Sequence, residues 1–321
     1  MGQKLLVAIA LIFGLIQPVS AQEYPTRPVK IVVQFPPGGV PDASARLIAE
    51  KLGETLGKPF VVENRPGAGG NIATDLVAKS EPDGHTLLLA ASASLVISPN
   101  LYRTLPFKVS DLTPISLIGS FDFVMLASPS FAASSVPDLI NLARVEPAKI
   151  NIASSGFGSE HHLVGELFQQ STGIRLTHVP YKGFGPGATD VIAGHIPLMF
   201  GSVPASLQLI RSNKVKALAV TGDTRAGALP EVPTFAELGY KDVTMTSWVG
   251  VLAPSGTPPF IVEKLAAEIE RFVQSSEGRA RIDKLGLGLM PPGPRALSDQ
   301  ITSGTRFWAD VIKKAGVPQV D

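Results

Sequence analysis

Phe35-Pro36-Pro37-Gly38-Gly39-Val40-Pro41-Asp42 is a stretch whose residue types and order suit the binding of an anion. The apolar run before it, Val29-Lys30-Ile31-Val32-Val33-Gln34, reads as a buried strand, and Leu47, Ile48, Leu52 and Leu56 after it have the spacing of one helix face. A Gly-rich turn thus delivers the chain into a helix N-terminus, with Asp42 placed to cap it. Backbone N–H groups at the positive end of a helix dipole seat negative charge. The same turn fits a tight strand-to-helix connection that binds nothing, and the turn alone does not separate the two readings.

Two more turns of this kind follow. Ser154-Ser155-Gly156-Phe157-Gly158-Ser159 enters a helical pattern carrying His162, Leu163 and Leu167. Pro180-Tyr181-Lys182-Gly183-Phe184-Gly185-Pro186-Gly187 enters one carrying Asp190, Val191 and Ile192. Other chemistries fit poorly. Gly67-Ala68-Gly69-Gly70-Asn71-Ile72 lacks the third glycine of a dinucleotide loop, and no acid follows about 20 residues on at a second strand end. Phosphate-loop, hydrolase-elbow and acyl-serine motifs are missing. His161-His162, His178 and His195 lack the spacing of a metal helix, since adjacent helical residues point about 100° apart; His162 is expected to face a lobe interface. Asp42 and Asp190 could form an acid/base pair, but each also sits where a helix cap or first-turn acid is expected. No nucleophile, base and orienting group come together, so neither catalytic residues nor a cofactor or metal is expected.

The elements that must position these loops alternate between strand and helix, the pattern of βαβ units with largely parallel sheets. Strands are expected at Phe60–Glu63, Thr86–Ala91, Ile150–Ser154, Leu176–Val179, Leu198–Phe200 and Ala217–Val220. A helix is expected from Asn71 to Lys79. Ile115–Ile118 and Phe123–Ala127, joined by Gly119-Ser120-Phe121-Asp122, make an extended run longer than one strand needs and read as a crossing between domains. Trp248–Ala253 reads as the return. The end of the chain is helical, Pro258–Gln274 and then Ser298–Ala315. Two crossings imply two α/β lobes: residues 22–122 with 250–321, and residues 123–249. Ligands in such architectures lie at the carboxyl ends of strands.

Composition narrows the setting. Lys4 and the apolar stretch Leu5–Ile16, ending in Val19-Ser20-Ala21, read as a signal peptide over residues 1–21, cleaved after Ala21. Export into a bacterial periplasm is the expectation. Lys4 is the only charge among those residues, so the formal net charge of +1 falls to zero without them. Neutrality without a basic run argues against nucleic acid. The chain has no cysteine and is 45% apolar, so it must be stabilised by its cores rather than by disulfides. A monomer is expected.

Several longer pieces carry a family likeness. They are Tyr24-Pro25-Thr26-Arg27-Pro28-Val29-Lys30; Phe35-Pro36-Pro37-Gly38-Gly39 with Asp42 and Arg46; Glu63-Asn64-Arg65-Pro66-Gly67-Ala68-Gly69-Gly70-Asn71; and Pro82-Asp83-Gly84. Later come Ser155-Gly156 with Gly158-Ser159 and His162; His178-Val179-Pro180-Tyr181-Lys182-Gly183; Val232-Pro233-Thr234-Phe235 with Glu237-Leu238-Gly239; and Trp248 with Gly250. In their order and spacing the chain resembles the extracytoplasmic solute-binding receptors of tripartite tricarboxylate transporters, often called Bug proteins, over essentially all of its length beyond the leader.

The resemblance implies a two-lobed, type II periplasmic-binding-protein α/β fold, its two mostly parallel sheets flanked by helices around a ligand cleft. It implies a small carboxylate ligand: a di- or tricarboxylate, an aromatic carboxylate or an amino acid. In the family, backbone groups and waters grip the carboxylate without an arginine clamp. The loop Phe35 to Asp42, with Pro37, Gly38 and Gly39, and the loop Tyr181, Lys182, Gly183, Phe184, Gly185 to Pro186 would act as pincers. Ser92 and Ser94 would offer hydroxyls, while Ser155, Gly158, Ser159 and His162 would face the cleft from the second lobe. The partner implied is a membrane permease; a sensor kinase receiving the ligand without transport is the alternative. The chain departs from the family at Val40 and Pro41, where a hydroxyl residue is frequent, and at Ala73, where glycine is. Phe184 stands where a small residue is common, and Gly201 where aspartate is. These departures imply a drier, more aromatic pocket and an aliphatic or aromatic carboxylate.

Overall fold

The computed structural model describes residues 23–321; the signal-peptide reading lies outside the described residues. Strand β1 (Val29–Val33) is flanked in parallel by β2 (Phe60–Asn64) and β3 (Thr86–Ala91), Val33 lying opposite Asn64 on one side and Leu89 on the other. The three strands thus end at one edge, and their connections open together. Period-two alternation buries both faces, as a sheet covered on two sides requires. Ile31 and Val33 join Ile48 and Leu52 of α1 (Val40–Leu56) in one core, while Val32 packs with Ala73 and Val77 of α2 (Asn71–Ala78) in another.

The second half repeats this plan. β5 (Asn151–Ser154) pairs in parallel with β6 (Thr177–Pro180), Ser154 opposite Pro180, and with β7 (Leu198–Ser202). Between the halves runs β4 (Leu112–Ala127), a single strand of 16 residues; at ~3.3 Å per residue it spans about 50 Å. Its first part pairs antiparallel with β9 (Thr246–Pro254), from Leu112 opposite Pro254 to Asp122 opposite Thr246. From Phe123 to Ala127 it pairs instead with β7, and from Val124 with β8 (Lys216–Val220), both antiparallel.

The two runs expected around Gly119–Asp122 are therefore one strand. Its register with β9 slips between Pro114 and Ser116, where proline has no N–H for the ladder, and again between Leu117 and Gly119. The pairing is more mixed than the expected mostly parallel sheets. Strands followed by helices pair in parallel, but β4, β8 and β9 pair antiparallel because the crossing traverses both halves in opposite directions.

Between the two helices expected after β9 lies a third. After α9 (Pro259–Gln274), Ser275 caps α10 (Ser276–Lys284), accepting from the Gly278 N–H at 2.9 Å. The polar composition of α10 concealed it from a periodicity reading. The C-terminal helix α11 (Pro294–Ala315) starts a turn earlier than expected, its preceding Gly293 N–H bonded to Ser116 Oγ at 2.9 Å. It lies across both halves, packing on β4 and the short helix α3 (Ala93–Val96) of the first and on α6 (Glu160–Thr172) of the second. Gln170 Nε2 donates to the Val311 carbonyl at 3.2 Å. Among the described residues no helix is long and apolar enough to cross a membrane. Trp308 is a 3% exposed anchor of this helix. Trp308→Ala should cost about 3–5 kcal/mol and lower the melting temperature by roughly 10 °C in a thermal melt.

Candidate functional site

The first loop is held by its own acid. Asp42 is the third residue of α1, not its cap; the helix begins at Val40 after an extended Gly39. Pro41, lacking an N–H, fits the first turn, where N–H groups have no helical partner. Asp42 instead reaches back. Its Oδ2 accepts from the Gly38 N–H and from Arg46 Nε, both at 3.0 Å, and its Oδ1 from Asn64 Nδ2 at 2.9 Å and Arg46 Nη2 at 3.0 Å. Asn64 Nδ2 also reaches the Phe35 carbonyl at 2.9 Å. Burial opposes ionisation, but the bonds from Arg46, Gly38 and Asn64 outweigh it and hold the carboxyl below its ordinary range. Its charge is thus spent on fixing the turn. Pro37, Gly38 and Gly39 stay exposed and Phe35 half-buried, so the backbone is what this loop presents.

The serines after β3 point elsewhere. Ser94 is fully buried, taking Gln34 Nε2 at 2.5 Å and the Thr74 hydroxyl at 3.3 Å. Gln34 Oε1 accepts from the Ala91 N–H at 3.0 Å, so this network clamps the loops after β1 and β3 to α2 and leaves no Ser94 hydroxyl for a cleft. The Ser92 hydroxyl donates to Glu160, the first residue of α6 in the other half, and Ser247 of β9 donates to the same oxygen at 2.9 Å. Burial raises the Glu160 carboxyl against the pull of these two bonds. Glu160 escaped the sequence reading because a first-turn acid is ordinary.

The second half wires its loops with histidines. Ser159 caps α6, accepting from the His162 N–H at 3.3 Å and donating to the Gly156 carbonyl at 2.7 Å. Gly158 has φ +72°, and a Cβ there would overlap Leu101 of the first half, so only glycine lets that side chain close on the loop. His162 Nδ1 accepts from the Gly158 N–H at 3.1 Å, and its ring stacks on His178 with centroids 3.8 Å apart. His178 Nε2 is 2.6 Å from Ser154 Oγ. His161, rather than His162, turns to the crossing strand: it meets Phe123 edge-on at 5.1 Å, bonds Ser155 Oγ at 2.8 Å and lies 6.1 Å from Phe184. One residue of helical phase separates the two rings, which sequence spacing does not resolve.

The Tyr181 loop is zipped to the Ser155 loop by Tyr181 N–H to Ser154 O, 3.0 Å, and Gly183 N–H to Ser155 O, 3.2 Å. Gly183 precedes α7 (Phe184–Ala193), so Asp190 lies near the end of that helix and is neither cap nor first-turn acid. It accepts from the Tyr181 hydroxyl at 2.5 Å, a bond that pushes the phenol up to about 12. Lys182 and Gly185 are exposed, and Phe184 is half-buried.

The structure therefore gathers Ser155, Tyr181, Gly183 and Phe184 around His161, and Phe35 and Gly38 around Asp42. Ser159 and His162 support the second-half loop from beneath. No hydrogen bond joins the two pincer loops among the described residues, nor is any group of three His, Asp, Glu or Cys there placed to hold a metal. Two cavities flank the crossing strands instead. One of about 420 Å³ lies beside Phe121, Asp122, Asp223 and Leu287, and one of about 190 Å³ is lined by Ser92, Met245, Trp248 and Trp308.

Burial pushes both His161 and His178 down to about 4, with His162 adding to the effect on His178. Both are neutral at pH 7 in the folded chain. As pH falls from about 6.5 to about 4 the unfolded chain takes up protons that the folded one refuses, so stability drops in that window. Thermal melts should show this decline, and His178→Asn should make its slope shallower.

The geometry now meets its kin. Residues 44–317 match the model of the tripartite tricarboxylate transporter family receptor. Protein BugT of Bordetella pertussis is 38% identical over 98% of this chain and 99% of its own length. Among solved structures, R. palustris Rpa4515 with adipate superposes with a TM-score of 0.85 at 36% identity, covering 92% of this chain and 100% of that one. MatC from Rhodopseudomonas palustris with bound malate gives 0.80 at 31% identity over 90% and 100%. These neighbours share the α/β fold of this chain. By sequence and by fold, the chain belongs to the tripartite tricarboxylate transporter receptor family.

Proposed function

We propose that this chain is a monomeric periplasmic receptor, exported with cleavage after Ala21, that captures a small carboxylate between its lobes. The permease of a tripartite tricarboxylate transporter would take the loaded form. The observation that carries the reading is the pair of backbone-presenting loops, Phe35–Asp42 and Tyr181–Pro186, at the carboxyl ends of strands in two halves joined by one strand. Kinship with proteins bound to adipate and malate supports a carboxylate. β4 changes partners between Asp122 and Phe123, which supports a lobe boundary there; β9 already pairs with the first half from Thr246, which supports a return at that residue rather than after Val249.

The mechanism is a population shift. The anion sits on N–H groups of the Phe35–Asp42 turn and the first turn of α1, where the helix dipole favours negative charge. Contact with the Ser155 and Tyr181 loops favours the closed form, by as much as the ligand binds that form more tightly. Ser155, Gly183, Phe184 and Gly185 supply the second-half surface, with Tyr181 and His161 positioning it. Ser92 joins the lobes through Glu160.

A thermal-shift screen of refolded, ligand-free protein against aliphatic, aromatic and amino-acid carboxylates tests this. A ligand at about 100 times its Kd should add roughly 2.7 kcal/mol, several degrees of Tm; no shift with any of them would sink the proposal. Asp42→Ala frees the Gly38 turn and should weaken the best ligand at least tenfold in calorimetry. Unchanged affinity with lost stability would make the turn a structural connection only. Protein recovered from a periplasmic extract should begin at Gln22.

A further inference from the structure

Resting on that reading, we infer that Phe184 is a gate over a second polar seat formed by Ser206, and that in the native chain this gate selects carboxylates with an apolar far end. Ser206 lies in the first half of α8 (Val203–Arg211), which opens directly from the carboxyl end of β7. Its side chain is wholly buried, and its hydroxyl makes no hydrogen bond among the described residues. Buried polar groups are almost always partnered, and one left alone carries a desolvation cost with no return.

The surroundings say what keeps it alone. Gly201 has no side chain, and the space a Cβ would take there touches both Ser206 Oγ and the edge of the Phe184 ring, whose Cε2 lies 2.6 Å from that point. The ring edge and the hydroxyl therefore crowd the same point beside Gly201. Phe184 itself is half-buried, the first residue of α7, and flanked by His161 at 6.1 Å, so one side of it belongs to the loop cluster and the other to this recess. Side chains on a helix lean toward its N-terminus. Beside Gly201 the Ser206 hydroxyl, the Phe184 ring and Leu126 fill the space between them, so only displacement or loss of the ring would open the Ser206 O–H to a carboxylate oxygen or hydroxyl. A ligand seated by its carboxylate on the first-half loop meets that ring with its other end.

Hexanoate and adipate share a six-carbon chain and differ in the far carboxylate, so the ratio of their affinities by calorimetry reads the gate. The native chain should bind hexanoate at least tenfold more tightly than adipate. Phe184→Ala should move the ratio at least tenfold toward adipate, and adding Ser206→Ala should take most of that gain back. Ser206→Ala alone should leave the ratio unchanged without lowering Tm. Phe184→Leu, which keeps the core filled, should shift the ratio in the same direction by less and stands in if the alanine variant does not fold. A native preference for adipate, a ratio indifferent to Phe184, or a gain that survives loss of Ser206 would each overturn the inference. Binding with an unmoved ratio overturns the gate alone, whereas no binding of any carboxylate overturns the capture reading as well.

Discussion

Everything in this molecule hangs on the antiparallel pair β4 and β9. A strand of 16 residues is too long for one α/β sheet, and its partner change at Phe123 makes it the edge of one sheet and the middle of another. The parallel strands of both halves, and so the loops at their carboxyl ends, are oriented by the twist of this pair. Near the middle of the crossing, Ser120 and the Gly288 backbone exchange hydrogen bonds of 2.9 and 2.7 Å, binding a loop of the first half to the strand. Relative motion of the halves must bend or twist these strands and shift the contacts that α11 makes with both halves.

Around that frame, the acidic groups near the loops are held by partners. Asp42 is taken by Arg46, Asn64 and Gly38; Asp190 by Tyr181; Glu160 by two serines. His161 and His178 are neutral because burial makes their charged form costly. What remains to face an anion is backbone, with helix N-termini behind it, and the exposed Lys182. A site of this kind has little net charge and little side-chain freedom to lose on binding. Its selectivity then falls to the shape and dryness of its walls.

Much of this was legible in the residues. Thr86–Ala91 was found to the residue, because a run buried on both faces has no competing reading. The Gly-rich loops were placed correctly between strands and helices, whereas the long extended run was read as two pieces where the structure has one strand. Phase was what escaped. Asp42 was assigned to a cap because Ser, Thr and Asp favour caps, whereas the helix starts three residues earlier, with Pro41 in its first turn, and leaves Asp42 free to fold back. His162 was preferred over His161, although neighbouring residues on a helix differ only by a rotation that tertiary packing fixes. Ser94 was expected at the cleft and Glu160 was not singled out, because the partners that consume them, Gln34 and Ser247, are 60 and 87 residues away in the chain. Long-range polar pairing leaves no local pattern.

The cavity of about 190 Å³ behind the crossing carries one more consequence. Its wall holds both tryptophans of the chain, Trp248 on β9 and Trp308 on α11, each almost fully screened from water. One indole rides on the strand that must deform when the halves move, and the other on the helix that straps them together. The ultraviolet emission of the unlabelled protein is therefore an optical gauge of that one joint, with no tryptophan elsewhere to dilute the signal.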